Sequence, residues 1–239
     1  MADFSACEEA VRRSDPDRYF SALFAPAGKR GFLCALYALN VELARVAETA
    51  REPMLAEIRL AWWRETVEGA RVGRPRDHDV ARALAETLAA NDLPQELFDR
   101  MIAARSFDAS PDSFADMAAL EEYADATSGN LMRLAARMLG ETLDELAREA
   151  GIAFALAGLL RSVPFHAARG KRFIPEALLS EAAAAARSHL GAARKLAMPA
   201  AALPVFLPAA LVPLYLKRND PPLWRRQLVF LRASVSGRL

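Results

Sequence analysis

Between residues 161 and 172 the chain places five basic side chains close together: Arg161, His166, Arg169, Lys171 and Arg172. Such a cluster can bind an anion. The competing use of the same charges is structural. Arg161 and Arg169 would then pair with internal acids such as Glu48 or Glu42, because a helical bundle needs partners for buried charge. His78, His166 and His189 lie far apart in sequence, so a histidine metal cage is not expected. Cys7 and Cys34 are too few for a disulfide framework and form no Cys-x-x-Cys pair for zinc.

The elements that must position these residues read as helices throughout. Alanine supplies 51 of the 239 residues and glycine only 11, and alanine is the residue least costly to place in a helix. No alternating strand pattern and no Asn-Gly or Asp-Gly hairpin turn is present. The expected fold is all-α, a single domain over residues 1–239. Punctuation predicts helices over about 3–13, a short segment capped by Asp17, and 28–49, where Phe32, Leu36, Leu39, Leu43 and Val46 form a buried stripe. Further helices are expected from Pro53, over 79–90 and 94–107, and over 113–139 with a bend at Gly129. Thr142 and Glu145 read as a capping box for a helix that ends at Val163, before Pro164. Helices over 175–186 and 190–196, and two more after Pro199 and Pro221, complete the pattern. Trp62 and Trp63 read as core, although adjacent positions cannot both face inward.

With 31 Lys+Arg against 30 Asp+Glu the formal charge is +1, which gives no electrostatic case for nucleic acid. The opening residues carry acids where a secretory leader would need a basic start, so a cytoplasmic, reducing setting is expected. Leu196 to Leu216 passes without a charge and is long enough to cross a bilayer, but Pro199, Pro204, Pro208 and Pro213 interrupt it. Buried helical core is the expectation there. Downstream, Lys217, Arg218, Arg225, Arg226, Arg232 and Arg238 face a single acid, Asp220, among interleaved apolar residues. This tail suits either a closing helix with snorkelling arginines or peripheral contact with an anionic membrane, such as the inner-membrane face, or with a membrane-bound partner.

Three stretches, Asp17 to Glu48, Leu55 to Ala70 and Ala153 to Leu179, resemble the squalene/phytoene synthase family in order and spacing. The most specific part is Arg169-Gly170-Lys171-Arg172-Phe173-Ile174-Pro175, and the GNLMRLAARMLG run from Gly129 to Gly140 is similar to the family's middle region. The resemblance implies an isoprenoid-synthase helical bundle around a central cavity. In catalytic relatives two helices each present a pair of aspartates four residues apart, and magnesium bound there neutralises a departing diphosphate. Matched position by position, the first pair falls on Ala44 and Glu48, and the second on Ser162 and His166. Three of four carboxylates are missing. Ordinary synthase activity is therefore not expected, and neither is a cofactor.

The wording Ala-Leu-Asn-Val-Glu-Leu-Ala from Ala38, Trp63-Arg64-Glu65-Thr66-Val67-Glu68, and Leu160-Arg161-Ser162-Val163-Pro164-Phe165-His166 is similar to the branch that has lost these aspartates, the complex I assembly factors. That implies a non-catalytic role in assembling NADH:ubiquinone oxidoreductase, with complex I subunits or an assembly intermediate as partner. Two alternatives stand beside it. One is a divergent prenyltransferase that holds Mg²⁺ with Glu48 and acids such as Glu42, Glu121, Glu122 and Asp125. The other is an isoprenoid- or lipid-binding protein that keeps the old cavity as an apolar pocket.

Overall fold

A computed structural model describes residues 3–50, 52–168 and 170–239. The described residues are helical, with no strand among them. The chain divides into two compact units, residues 1–110 with 133–142, and residues 111–132 with 143–239.

In the first unit α1 (Ser5–Ser14), α2 (Pro16–Ala22), α4 (Pro53–Arg71), α5 (Asp79–Ala90) and the single turn α7 (Ser106–Ala109) pack on α3 (Ala27–Thr49), and α6 (Gln95–Ala104) packs on α4 and α7. The predicted stripe explains that arrangement. Leu36, Leu39, Leu43 and Val46 are buried against α1, α4 and α5, joined by Leu33, Ala35 and Tyr37. Burying aliphatic side chains of this size contributes roughly 1.5–3 kcal/mol each, which fixes α3 far more firmly than helix propensity could. Phe32 is only half-buried and packs edge-on against Phe4, 5.5 Å between ring centres. The cap of α2 is Asp15 rather than Asp17: its carboxylate accepts from the Arg18 amide and pairs with the Arg18 guanidinium at 2.6 Å. Asp17 falls inside the helix because Pro16 occupies the first helical position, where its missing N–H costs nothing.

The stretch expected as one helix over 113–139 with a bend at Gly129 is helical from 117 to 138, with one widened turn that ends at Gly129. It runs as α8 (Met117–Ala124), a π turn over Asp125–Gly129, and α9 (Asn130–Met138). The π turn and the start of α9 lie in the second unit, while the last turns of α9 belong to the first. The Thr127 hydroxyl donates to the Tyr123 carbonyl at 2.7 Å inside this widened turn.

The second unit is built on α10 (Asp144–Ala167), which packs against α11 (Leu179–Ala193), α8 and the π turn. By length and composition α10 could cross a bilayer, and within this unit it is the central packing helix. Two expectations about α10 are corrected. Thr142 forms no cap; the residue at the helix start is Leu143, with no side-chain hydrogen bond. The helix also passes through Pro164 to Ala167. Proline there cannot donate to the Leu160 carbonyl, but only one turn remains beyond it, so little of the ladder is lost. The expected break near 187–189 is absent as well, since α11 is continuous after a 3₁₀ turn over Glu176–Leu178. The uncharged stretch 196–216 folds as short turns, including α12 (Leu203–Phe206) and α13 (Val212–Tyr215), with residues 202–212 buried. Its prolines, spaced four to five residues apart, prevent a continuous helix. The chain ends in α14 (Leu223–Ser236), which packs on the Leu207–Leu211 turn and is closed by Gly237 at φ 66°.

Candidate functional site

The four positions where the resemblance implies aspartates divide between the two units, Ala44 and Glu48 on α3 and Ser162 and His166 on α10. Ala44 is half-buried and offers no donor, while Glu48 is exposed near the end of α3. On α10 the Ser162 hydroxyl is turned back onto its own helix, donating to the Leu159 carbonyl at 2.8 Å. This local bond is the usual fate of a serine inside a helix, and it occupies the hydroxyl's only proton. The His166 ring lies edge-on to two aromatic rings, Phe165 at 5.4 Å and Phe173 at 4.6 Å between centres. An imidazole held this way faces apolar rings, a poor setting for a hard cation's oxygen shell.

These residues do not fit a magnesium cluster. One carboxylate remains of four, and among the described residues no three His, Cys, Asp or Glu side chains are placed to share an ion. No step that uses a bound metal follows from such a donor set.

The segment after α10 is what brings basic groups together. Gly170, at φ 75°, takes the left-handed conformation that reverses the chain, and the Lys171 amide donates back to the His166 carbonyl at 3.0 Å. That five-residue return bond closes the helix in a Schellman motif. The next residues are then pinned by Phe114, whose amide donates to the Phe173 carbonyl at 2.9 Å, and by Ser113, whose hydroxyl donates to the Arg172 carbonyl. Between this segment and α10 lies a cavity of about 210 Å³. Leu159, Val163, Phe173, Ile174 and Leu179 supply its apolar wall, and His166, Lys171, Arg172 and Glu176 its polar rim.

Of the basic cluster expected from sequence, the structure therefore places His166, Lys171 and Arg172 around one cavity. Arg161 goes elsewhere: its guanidinium lies 4.2 Å from the centre of the Tyr215 ring, a cation–π contact that ties α10 to α13. Arg169 lies outside the described residues. Lys171 also covers an aromatic ring, with its Nζ 4.1 Å from the centre of Phe173.

Two constellations were not foreseen. In the first unit Trp62, Trp63 and His78 form an aromatic corner, with ring centres 4.9 Å apart between the tryptophans and 5.2 Å between Trp63 and His78. Trp63 is buried and Trp62 only half-buried, which meets the requirement that adjacent helical positions face differently. A cavity of about 390 Å³ opens beside them, bounded by Glu42, Arg45, Thr49 and Arg59. Its arginines are engaged: Arg45 donates to the Ser14 hydroxyl at 2.7 Å, and Arg59 donates to the Thr49 hydroxyl. In the second unit His189 on α11 sits between two carboxylates, Glu149 of α10 at 2.7 Å and Glu121 of α8 at 3.4 Å. Neither constellation has a sequence signature, since their members are joined only by packing.

The family model for squalene/phytoene synthase matches residues 11–185. The human protein named NADH dehydrogenase (ubiquinone) complex I, assembly factor 6 is 30% identical over 172 residues, covering 71% of this chain and 52% of its own length. Its homolog in Dictyostelium discoideum is 25% identical over 186 residues, covering 75% of this chain and 52% of its own. The chain thus spans about half the length of the curated relatives it matches. Among solved structures, a dehydrosqualene synthase superposes with a TM-score of 0.79 at 15% identity, over 98% of this chain and 95% of that one. Squalene synthase HpnC from Alicyclobacillus acidocaldarius gives 0.73 at 19%, over 98% and 94%. At those identities the two structures establish the isoprenoid-synthase helical fold. With fold, motif order and matched span in agreement, the chain belongs to the squalene/phytoene synthase family.

Proposed function

We propose that this chain is a non-catalytic member of its family that assists assembly of respiratory complex I, acting on complex I subunits or an assembly intermediate. The observation that carries the reading is the state of the second motif. Neither Ser162, a neutral hydroxyl turned onto the Leu159 carbonyl, nor His166, an imidazole lying edge-on to Phe165 and Phe173, supplies the anionic oxygen that a magnesium ion takes from an aspartate. Without the carboxylates that would hold magnesium, the charge on a leaving diphosphate goes unneutralised, a loss of several kcal/mol of transition-state stabilisation. The shared sequence with proteins named as assembly factors supports the same direction. Deleting the gene in its host and assaying NADH:ubiquinone oxidoreductase, with native gels of the membrane fraction, tests it. Lower activity with accumulated subcomplexes, restored by re-expression, is expected. Unaltered complex I would overturn the proposal.

A second reading is favoured by the cavity beside α10, whose apolar wall and rim, with Lys171 and Arg172 against the single acid Glu176, suit the head end of an isoprenoid diphosphate or a related lipid. Mass spectrometry of lipids that copurify with the chain tests it, and an isoprenoid enriched over a control protein is the supporting result.

A further inference from the structure

The closing helix α14 buries Phe230 and Ala233 against the rest of its unit. At 100° per residue, Trp224, Leu228, Leu231 and Val235 fall within an arc of about 60° on the far side of the helix. They are exposed at 59%, 37%, 55% and 82% of their surface. Four large apolar side chains at i, i+4, i+7 and i+11 thus make an uninterrupted exposed stripe, where a surface helix would normally carry polar residues. Arg225 and Arg232 flank the stripe on one side and Gln227 and Ser234 on the other. Arg225 covers the Trp224 ring, with its guanidinium carbon 5.1 Å from the ring centre.

We propose that this stripe is a docking surface for an anionic lipid bilayer, on which α14 lies in the plane of the interface. Charge decides the occupant. From Lys217 to Leu239 six basic side chains face one acid, Asp220, although the chain as a whole is balanced at +1. A positive field concentrated around an exposed apolar stripe matches phosphate headgroups over acyl chains, and a Trp at the edge of the stripe suits the headgroup boundary. Length decides the geometry: 14 residues span about 21 Å, short of the roughly 30 Å hydrocarbon core. The helix therefore rests on the membrane and does not cross it. The inference is independent of the assembly role, since it concerns the purified chain and lipid alone.

The test is flotation of the full chain with vesicles of phosphatidylcholine alone and of phosphatidylcholine with phosphatidylglycerol. Wild-type protein is expected to float with the anionic vesicles and at least about tenfold less with the neutral ones, with binding falling as salt shortens the range of the field. The pair Leu228→Asn and Leu231→Asn, both at exposed positions, is expected to cut anionic binding by about tenfold or more while circular dichroism and melting stay as in wild type. Arg225→Gln with Arg232→Gln should weaken binding and flatten its salt dependence. No binding of the wild type to anionic vesicles would overturn the proposal, as would equal binding by the Leu228→Asn/Leu231→Asn variant. Self-association of the wild type that this variant abolishes, without vesicle binding, would assign the stripe to a protein contact instead and would also overturn it.

Discussion

Gly151 on α10 lies so close to Gly129 at the end of the π turn that a Cβ added at Gly151 would stand 2.5 Å from the Gly129 Cα. Backbone meets backbone there, which seats the widened turn directly on the unit's central helix. In an ordinary helix interior, exchanging glycine for alanine gains about 1 kcal/mol of propensity. Here the new methyl has no flexible neighbour to push aside. Gly151→Ala is therefore expected to destabilise the chain by about 1–3 kcal/mol, read as a lower urea midpoint. An unchanged or raised midpoint would mean that the π turn is not packed as described.

The contact between His189 and Glu149 joins α11 to α10, and the weaker contact to Glu121 adds α8. Removing the imidazole leaves Glu149, whose side chain is 13% exposed, with Arg148 as its remaining ion-pair partner. His189→Ala is expected to lose about 1–2 kcal/mol in chemical denaturation. The double variant with Glu149→Gln should lose less than the sum of the two single changes. Strict additivity would show that the two side chains do not interact.

Burial raises both thiols: Cys7 and Cys34 are pushed up to about 12 from the usual 9.0, chiefly by desolvation and then by nearby charge, Asp79 and Glu8 for Cys7 and Glu8 for Cys34. The native state thus keeps them protonated where the unfolded chain would ionise them. The stability this represents is whole below about pH 9 and is lost as pH rises from 9 toward 12. Guanidinium melts at pH 8 and at pH 10.5 should show a larger drop for wild type than for the Cys7→Ala/Cys34→Ala variant. At pH 8 a thiol reagent should label neither cysteine until the chain is unfolded. Rapid labelling of the native protein would contradict the burial.

Much of this molecule is legible in its sequence, and the exceptions have physical causes. The α3 stripe is visible because Leu36, Leu39, Leu43 and Val46 repeat at helical spacing and all face one core. The starts of α4 and α5 are visible because Pro53 and Asp79 suit first-turn positions. The π turn is hidden because Asp125 to Gly129 holds no large apolar residue whose shifted face could register the widened turn, although Gly129 marks its end. Thr142 fails as a cap because the helix begins two residues later, and Pro164 fails as a stop because α10 has only a turn left to complete. At the site, residue types alone suggest an anion-binding cluster. That three of four expected aspartates are replaced at Ala44, Ser162 and His166, with Glu48 remaining, is legible only against a family pattern. The aromatic corner of Trp62, Trp63 and His78, and the His189 bridge, arise from helices brought together by the fold, and no local spacing announces them.

A synthase-like shell without its acid clamps does not expel diphosphate from a prenyl substrate, and pyrophosphate release tests this most directly. The purified 239-residue chain is incubated with farnesyl or geranylgeranyl diphosphate and Mg²⁺, and liberated pyrophosphate is measured against a no-protein control and a Glu48→Ala variant. The predicted result is release no faster than in the control, with wild type and variant indistinguishable. Sustained pyrophosphate release that Glu48→Ala abolishes would contradict the account and restore the chain to the catalytic members of its family.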